Sequence, residues 1–176
     1  MVDPRPLTGE PLPLDLLNTR WISHGDEHDL LASPDGVATW LAAHGLGEHD
    51  GERTGAALRQ ARTVMADLLR EPTAAHGVAF DELLARGRLR RGYDPDGDAV
   101  TRPETDDPAW LPAWTAAEAL LRLLETTPGR IRRCDHDACV LHFLDTSRNG
   151  TRRWCSMASC GNRAKSNRHY ARTREA

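Results

Sequence analysis

Residues 134–160 read CDHDACVLHFLDTSRNGTRRWCSMASC and hold every cysteine of the 176-residue chain. The cysteines form two pairs, with four residues inside each pair and fifteen between the pairs: Cys134, Cys139, Cys155 and Cys160. Paired cysteines in one short segment are typical of a structural zinc site, in which four thiolates complete a tetrahedron and leave no position open for catalysis. Disulfides, free thiols and an iron–sulfur cluster are the alternatives, and His136 is a further candidate ligand, although a solvated loop histidine is the commoner role. We therefore predict one structural Zn²⁺ bound by the four cysteines.

The residues around the cysteines predict a β-hairpin and a helix. Val140–Asp145 is an apolar run of strand length, Asn149-Gly150 is a typical hairpin turn, and Thr151–Cys155 is the expected returning strand. The sequence after the last cysteine contains no proline as far as residue 174 and predicts a helix of about 13 residues. This order is that of a treble-clef-like zinc finger, in which the metal clamps the hairpin to the helix.

The net charge of −3 hides two segments of opposite charge. Residues 130–174 hold ten arginines, one lysine and three aspartates, for +8, whereas residues 1–129 hold twelve arginines and 22 acidic residues, for −10; Glu175 supplies the last negative charge. Such a basic segment favours contact with nucleic acid, although a solvated helix end or docking on the acidic segment would also account for it. The candidate contact residues are Arg148, Arg152, Arg153, Arg163, Lys165, Asn167, Arg168 and Arg172.

The acidic segment is predicted to be mostly helical. Ser33-Pro34 is typical of a helix start, and Pro112 fits the start of a later helix. Asp96-Gly97 predicts the turn of a small β-hairpin between them. The inward face of the last helix is predicted to comprise Ala116, Leu120, Leu121 and Leu124.

The domain boundary is predicted at Pro128-Gly129, where a turn signal coincides with the reversal of charge. Residues 1–128 then form a helical domain for regulation, ligand binding or dimerisation, and residues 129–176 form the zinc finger. The expected fold class is mainly α with small β elements.

Several classes of protein are disfavoured by the sequence. No apolar run is long enough to span a bilayer, and the first fifteen residues lack the apolar stretch of a signal peptide, so a cytoplasmic location is expected. No catalytic constellation is visible, since Ser23–His28 is better explained as a polar loop, and the protein is expected not to be an enzyme. The tryptophans of the acidic segment are better explained as core than as a ligand pocket: Trp21, Trp40, Trp110 and Trp114.

The finger segment closely resembles the CGNR zinc finger. The resemblance is carried by Phe143–Arg148 (FLDTSR), Arg153–Met157 (RWCSM) and Cys160–Lys165 (CGNRAK). Upstream, Leu14–Thr19 (LDLLNT) and Trp40–Gly45 (WLAAHG) resemble the ABATE domain that precedes this finger in a bacterial family of stress-induced transcription regulators. The resemblance implies zinc binding by the four cysteines and an expected role in DNA binding.

Architectural roles are predicted for the residues that give the finger its name. Gly161 is expected to let the backbone approach the thiolates, and Asn162 to cap the helix or brace the cysteine loop. Arg163 is expected to pair with Asp145, and Trp154 to anchor a small core.

We therefore expect a DNA-binding transcription regulator in which zinc clamps a basic hairpin–helix reader. A small-molecule effector of residues 1–128 and a homodimer are further partners that this organisation allows. The alternative is a zinc-stabilised module that binds RNA or another protein. A nuclease is a weaker candidate, because His142, Asn162 and His169 only faintly resemble such a site and no open metal position is visible.

Overall fold

The computed structural model describes residues 3–47 and 49–166, and the chain divides into two compact units. One unit is Leu30–Arg122, and the other combines the residues up to Asp29 with those from Leu123 onward. The described residues contain helices and three two-stranded antiparallel sheets, so the predicted fold class is confirmed. None of their helices has both the length and the apolar character needed to cross a membrane.

The unit of Leu30–Arg122 is built on helices. They are α2 (Pro34–Ala43), α3 (Gly51–Arg70), α4 (Ala74–Leu84) and α5 (Leu111–Thr126), the last of which continues past the unit. The predicted start of α2 is confirmed, because the Ser33 hydroxyl accepts a hydrogen bond from the N–H of Gly36 at 3.2 Å. Buried apolar side chains from three helices form the core: Trp40, Leu58, Met65, Trp114 and Leu120.

One predicted core position of α5 is wrong. Ala116 and Leu120 are fully buried, but Leu121 is 38% exposed. The fully buried positions of α5 form one face of the helix: Ala113, Ala116, Ala117 and Leu120. At about 100° per residue, Leu121 lies at the edge of this face.

The small hairpin in this unit is confirmed. Strand β3 (Gly87–Tyr93) pairs antiparallel with β4 (Ala99–Thr105), and Gly97 at the turn has φ +88°. Nine of the fourteen residues of the two strands are exposed, and none is fully buried.

The second unit begins with a short helix and a hairpin that the sequence did not predict. Helix α1 spans Leu12–Leu17, and β1 (Arg20–Ser23) pairs with β2 (Asp26–Asp29) through His24 and Gly25. Both turn residues have positive φ, +54° and +95°, as the tight turn between two adjacent strands requires. The segment expected to be a polar loop is therefore an ordered hairpin.

The same unit contains the zinc finger, and here the predicted strand pairing is wrong. Strand β6 (His142–Leu144) pairs with the upstream strand β5 (Ile131–Arg133), whereas residues 151–155 form no strand. The reason is that the Asp145 carboxylate captures the N–H of Arg152 at 2.9 Å, so a side chain ties down the returning segment in place of a strand ladder. A π-helical turn, Met157–Gly161, carries the last cysteine, and helical residues continue over 162–166.

The compact units do not follow the boundary expected at residue 128. The segment before Leu30 belongs to the same compact unit as the finger, although about a hundred residues separate the two in the sequence. The boundary at residue 128 between independently folding domains therefore stays a prediction.

Candidate metal centre and basic surface

The four cysteines predicted to bind zinc lie together in one buried cluster. Their sulfur atoms lie within 4.8 Å of one another, and each residue is at most 6% exposed. The Sγ of Cys155 lies 3.8 Å from that of Cys139 and 3.6 Å from that of Cys160. Four Zn–S bonds of about 2.3 Å in a tetrahedron place the sulfur atoms about 3.8 Å apart, so the cluster has the size of a zinc site.

The electrostatics of the cluster also fit a divalent cation. A hydrogen bond from Cys155 lowers the pKa of Cys139 to about 5, while bonding to Cys139 raises the pKa of Cys155 and burial raises that of Cys134. The thiols therefore cannot all ionise without a counter-charge. Arg163 supplies one positive charge, with its Nη2 3.2 Å from the Cys160 sulfur, and Zn²⁺ would supply the remaining charge.

The loop between the first two cysteines is held by its own hydrogen bonds. The N–H of Cys139 donates to the His136 carbonyl at 2.8 Å, and the N–H of Ala138 donates to the His136 Nδ1 at 3.2 Å. His136 thus braces the loop and lies outside the sulfur cluster, as expected for a loop histidine. The N–H of Cys134 donates to the carbonyl oxygen of Leu141 at 2.9 Å, which connects the loop to the residue directly before strand β6.

The second pair of cysteines is held by the π-helical turn, and Gly161 has a different role from the predicted one. Its N–H donates to the Ser156 carbonyl at 2.9 Å. A Cβ at this position would lie 2.8 Å from the Met157 sulfur, so the close approach is to that side chain, not to the thiolates. Asn162 braces the turn, donating from Nδ2 to the Ala158 carbonyl at 3.2 Å.

The predicted ion pair between Arg163 and Asp145 is wrong. Asp145 is 2% exposed and accepts hydrogen bonds from the N–H and hydroxyl of Ser147 and from the N–H of Arg152. The bonds from Ser147, partly opposed by burial, lower the pKa of its carboxyl group. The carboxylate is therefore used by the loop that precedes the second cysteine pair, while Arg163 contacts the sulfur of Cys160.

Phe143 is the apolar anchor of the finger, a role that was predicted for Trp154. Phe143 is fully buried, whereas Trp154 is half-buried with the guanidinium of Arg153 5.2 Å from its ring centroid. In the sequence, the position of Phe143 at the centre of an apolar strand is the feature that could have indicated this role. Arg152 covers Phe143, with its guanidinium carbon 4.2 Å from the ring centroid.

The other contacts of Arg152 are also internal. Its Nε donates to the Trp154 carbonyl at 3.0 Å, and its Nη2 donates to the Cys155 carbonyl. The guanidinium thus links strand β6 to the second cysteine pair, and we assign Arg152 to the architecture of the finger.

The change Arg152→Met is expected to lower the free energy of unfolding by about 1.5–3 kcal/mol, because it removes charged hydrogen bonds to two carbonyl groups and keeps an apolar stem over Phe143. Arg148→Met is the matched control, since Arg148 is exposed in the neighbouring loop. Urea unfolding of the zinc-loaded variants measures the difference. Equal stabilities would contradict the assignment.

Two side chains from the start of the chain bind strand β6, which sequence reasoning missed. Asn18 is fully buried: its Oδ1 accepts from the N–H of His142 at 2.8 Å, and its Nδ2 donates to the His142 carbonyl at 2.9 Å. Glu10 accepts from the N–H of Leu144 at 2.8 Å. The LDLLNT motif contains Asn18, but it carries no sign of this partner.

The N-terminal arm, residues 3–19, is itself held by a buried ion pair. Arg5 Nη1 lies 2.6 Å from Asp15 Oδ1, with both side chains about 1% exposed. The N-terminal arm is therefore an ordered segment, and its side chains Glu10 and Asn18 contact strand β6 of the finger. In strand β6, burial and, to a smaller extent, the positive charge of nearby Arg133 lower the pKa of His142 to about 4. His142 is therefore neutral at physiological pH.

The predicted nucleic-acid residues fall into three groups. Arg148, Arg153, Arg163 and Lys165 are exposed, and Arg153 also lies 2.7 Å from Asp135. Arg152 has the internal contacts described above. The predicted residues outside the described part of the chain are Asn167, Arg168 and Arg172. Two exposed arginines of the finger were not predicted, Arg132 and Arg133.

Comparison with known families agrees with this architecture. Residues 130–173 match the CGNR zinc finger, and this match and the four clustered cysteines together support one zinc ion. Residues 10–127 match the ABATE family, which is described as "Putative stress-induced transcription regulator". No curated protein matches the chain. The second match covers more than half of the sequence, so the chain belongs to the ABATE family and carries a CGNR zinc finger after the ABATE region.

Proposed function

We propose that the protein is a non-enzymatic, DNA-binding transcription regulator that contacts the DNA backbone through the basic surface of its zinc finger. The zinc ion holds the finger together and takes no part in chemistry, because four thiolates fill its coordination sphere.

The observation that carries this proposal is the net positive charge of the exposed side chains of the finger. The exposed cations of residues 130–166 are Arg132, Arg133, Arg148, Arg153, Arg163 and Lys165. Of the three aspartates in that span, Asp145 is buried and Asp135 is bonded to Arg153, which leaves Asp137. The exposed side chains of this span, six cations and two aspartates, therefore carry a net charge of +4, and a polyanion is the partner that such a surface fits.

The family supports DNA over other polyanions, because its description is that of a transcription regulator. RNA has the same phosphate charge and is an outcome of the test described below. A small-molecule effector, a homodimer and a role in stress stay predictions.

DNA binding is expected to weaken steeply with salt. Contact with about five phosphates gives a slope of about −4.5 for log K against log salt. Neutralising Arg148 and Lys165 together with glutamine is expected to make the slope shallower by about 1.8 and to weaken binding roughly 60-fold near 0.1 M salt, because two phosphate contacts are lost. Fluorescence anisotropy with a labelled duplex measures both quantities.

The matched control is Arg70→Gln, which removes an exposed arginine from α3 and is expected to change neither quantity. Absence of binding to selected genomic DNA, or binding that ignores salt, would overturn the proposal. Preference for RNA over DNA of the same length would favour the RNA-binding alternative.

A further inference from the structure

The hairpin of β3 and β4 is a two-stranded sheet with little around it. Packing fixes its base, where a Cβ on Gly87 would lie 2.6 Å from the Trp114 ring. Beyond the base almost every residue is exposed, including Leu89 at 40% and Tyr93 at 77%. A hairpin of two strands alone is marginally stable in water, and a third strand would stabilise it.

The hydrogen-bond pattern shows that the β3 edge is open. The N–H of Asp94 donates to the Asp98 carbonyl at 2.9 Å, and bonded pairs alternate from there along the ladder. This alternation turns the N–H and C=O groups of Leu89 and Arg91 away from β4, and among the described residues β3 pairs with no other strand. On the outer edge of β4 the equivalent position holds Pro103, which has no N–H to donate.

The charges along β3 are self-complementary. Its first half is basic, with Arg88, Arg90 and Arg91, and the turn that follows is acidic, with Asp94 and Asp96. Arg88 and Arg90 also pair with Glu104 of β4 within the hairpin, so in a dimer these two arginines would share their charge between Glu104 and the second copy. Two copies that run antiparallel bring each basic half beside the acidic turn of the other. A parallel pairing would instead place arginine beside arginine, which is destabilising.

We propose that β3 pairs antiparallel with β3 of a second copy of this chain, about a two-fold axis at Gly92. In this register the outward backbone groups of Arg91 bond those of Tyr93 of the second copy, and Arg90 lies opposite Asp94 of the second copy. Gly92 carries no side chain, so the strands meet at the axis without a clash. The product is a four-stranded sheet and a symmetric dimer.

The pair Arg91→Pro and Thr101→Pro tests the proposal. The two residues lie directly opposite each other in the hairpin and both face outward, one on each edge. Pro103 shows that the hairpin accepts proline at such a position. Arg91→Pro is expected to weaken self-association about ten- to a hundredfold, because symmetry removes two hydrogen bonds at once, and Thr101→Pro is expected to have no effect.

Sedimentation of the zinc-loaded full chain from micromolar to millimolar concentration measures the association, and circular dichroism checks that each variant is folded. Asp96→Arg is a second variant, expected to weaken the dimer about tenfold, with Asp81→Arg on α4 as the control of equal charge change. A wild-type chain that stays monomeric, or a dimer that Arg91→Pro leaves intact, overturns the proposal. No nucleic acid is needed, so the result is independent of the proposed DNA binding.

Discussion

Replacement of Cys155 by serine is expected to lower the zinc affinity by about a hundredfold to a thousandfold. A structural zinc site contributes about 10–16 kcal/mol of binding free energy, and one of four equal bonds is about a quarter of that. Cys155 is a suitable position, because its sulfur lies 3.8 Å from that of Cys139 and 3.6 Å from that of Cys160. The loss of affinity is also a loss of stability, since among the described residues of the finger Phe143 is the one fully buried aromatic side chain.

Competition with a chromophoric chelator measures the affinity, and thermal unfolding with and without chelator measures the stability. Ser166→Ala is the control, an exposed change six residues beyond the last cysteine that is expected to leave both values unchanged. A wild-type protein that retains no zinc after dialysis, or a Cys155→Ser variant with wild-type affinity, would contradict a four-cysteine site.

The cluster of cysteines could be predicted from the sequence because its information is local. The spacing inside each pair places two thiols on one loop, and the chemistry of sulfur supplies the metal. The start of α2 was predictable for the same reason, since Ser33 bonds an N–H only three residues ahead.

The strand pairing of the finger could not be predicted from the same kind of signal. Asn149-Gly150 does form a turn, with φ +63° at Gly150, so the turn signal was correct. The pairing was decided by Asp145, whose carboxylate is directed inward to the N–H groups of Ser147 and Arg152. A buried aspartate with backbone partners looks like any other aspartate in the sequence.

The separate roles of the arginines of the finger could not be predicted from the sequence either. The sequence groups Arg148, Arg152 and Arg153 as one basic cluster, and composition alone gives them the same role. Arg152 lies over the buried ring of Phe143 and donates to two carbonyl groups, and these partners become visible only when strand β6 is placed.

The change Asn18→Leu is expected to lower the stability of the finger by about 2–5 kcal/mol. Asn18 and His142 are 124 positions apart, and the Asn18 side chain satisfies both backbone groups of His142. Leucine has a similar size but no polar atom, so it leaves a buried N–H and a buried carbonyl unpaired, each at a cost of about 1–3 kcal/mol.

The same change is expected to weaken zinc binding about ten- to a hundredfold, because folding and metal binding are coupled in such a module. Strand β6 transmits the effect, since the Leu141 carbonyl accepts the N–H of Cys134 directly before His142. Glu10→Gln is the conservative control: its amide oxygen still accepts the N–H of Leu144, and it removes a charge that lies 4.0 Å from Arg152 Nη2, so zinc affinity should fall by no more than about fivefold. If Asn18→Leu binds zinc as tightly as the wild type, residues 129–176 form the finger unaided and the boundary predicted at residue 128 is also the boundary of an independent domain. A weakened site instead makes the N-terminal arm part of the zinc finger.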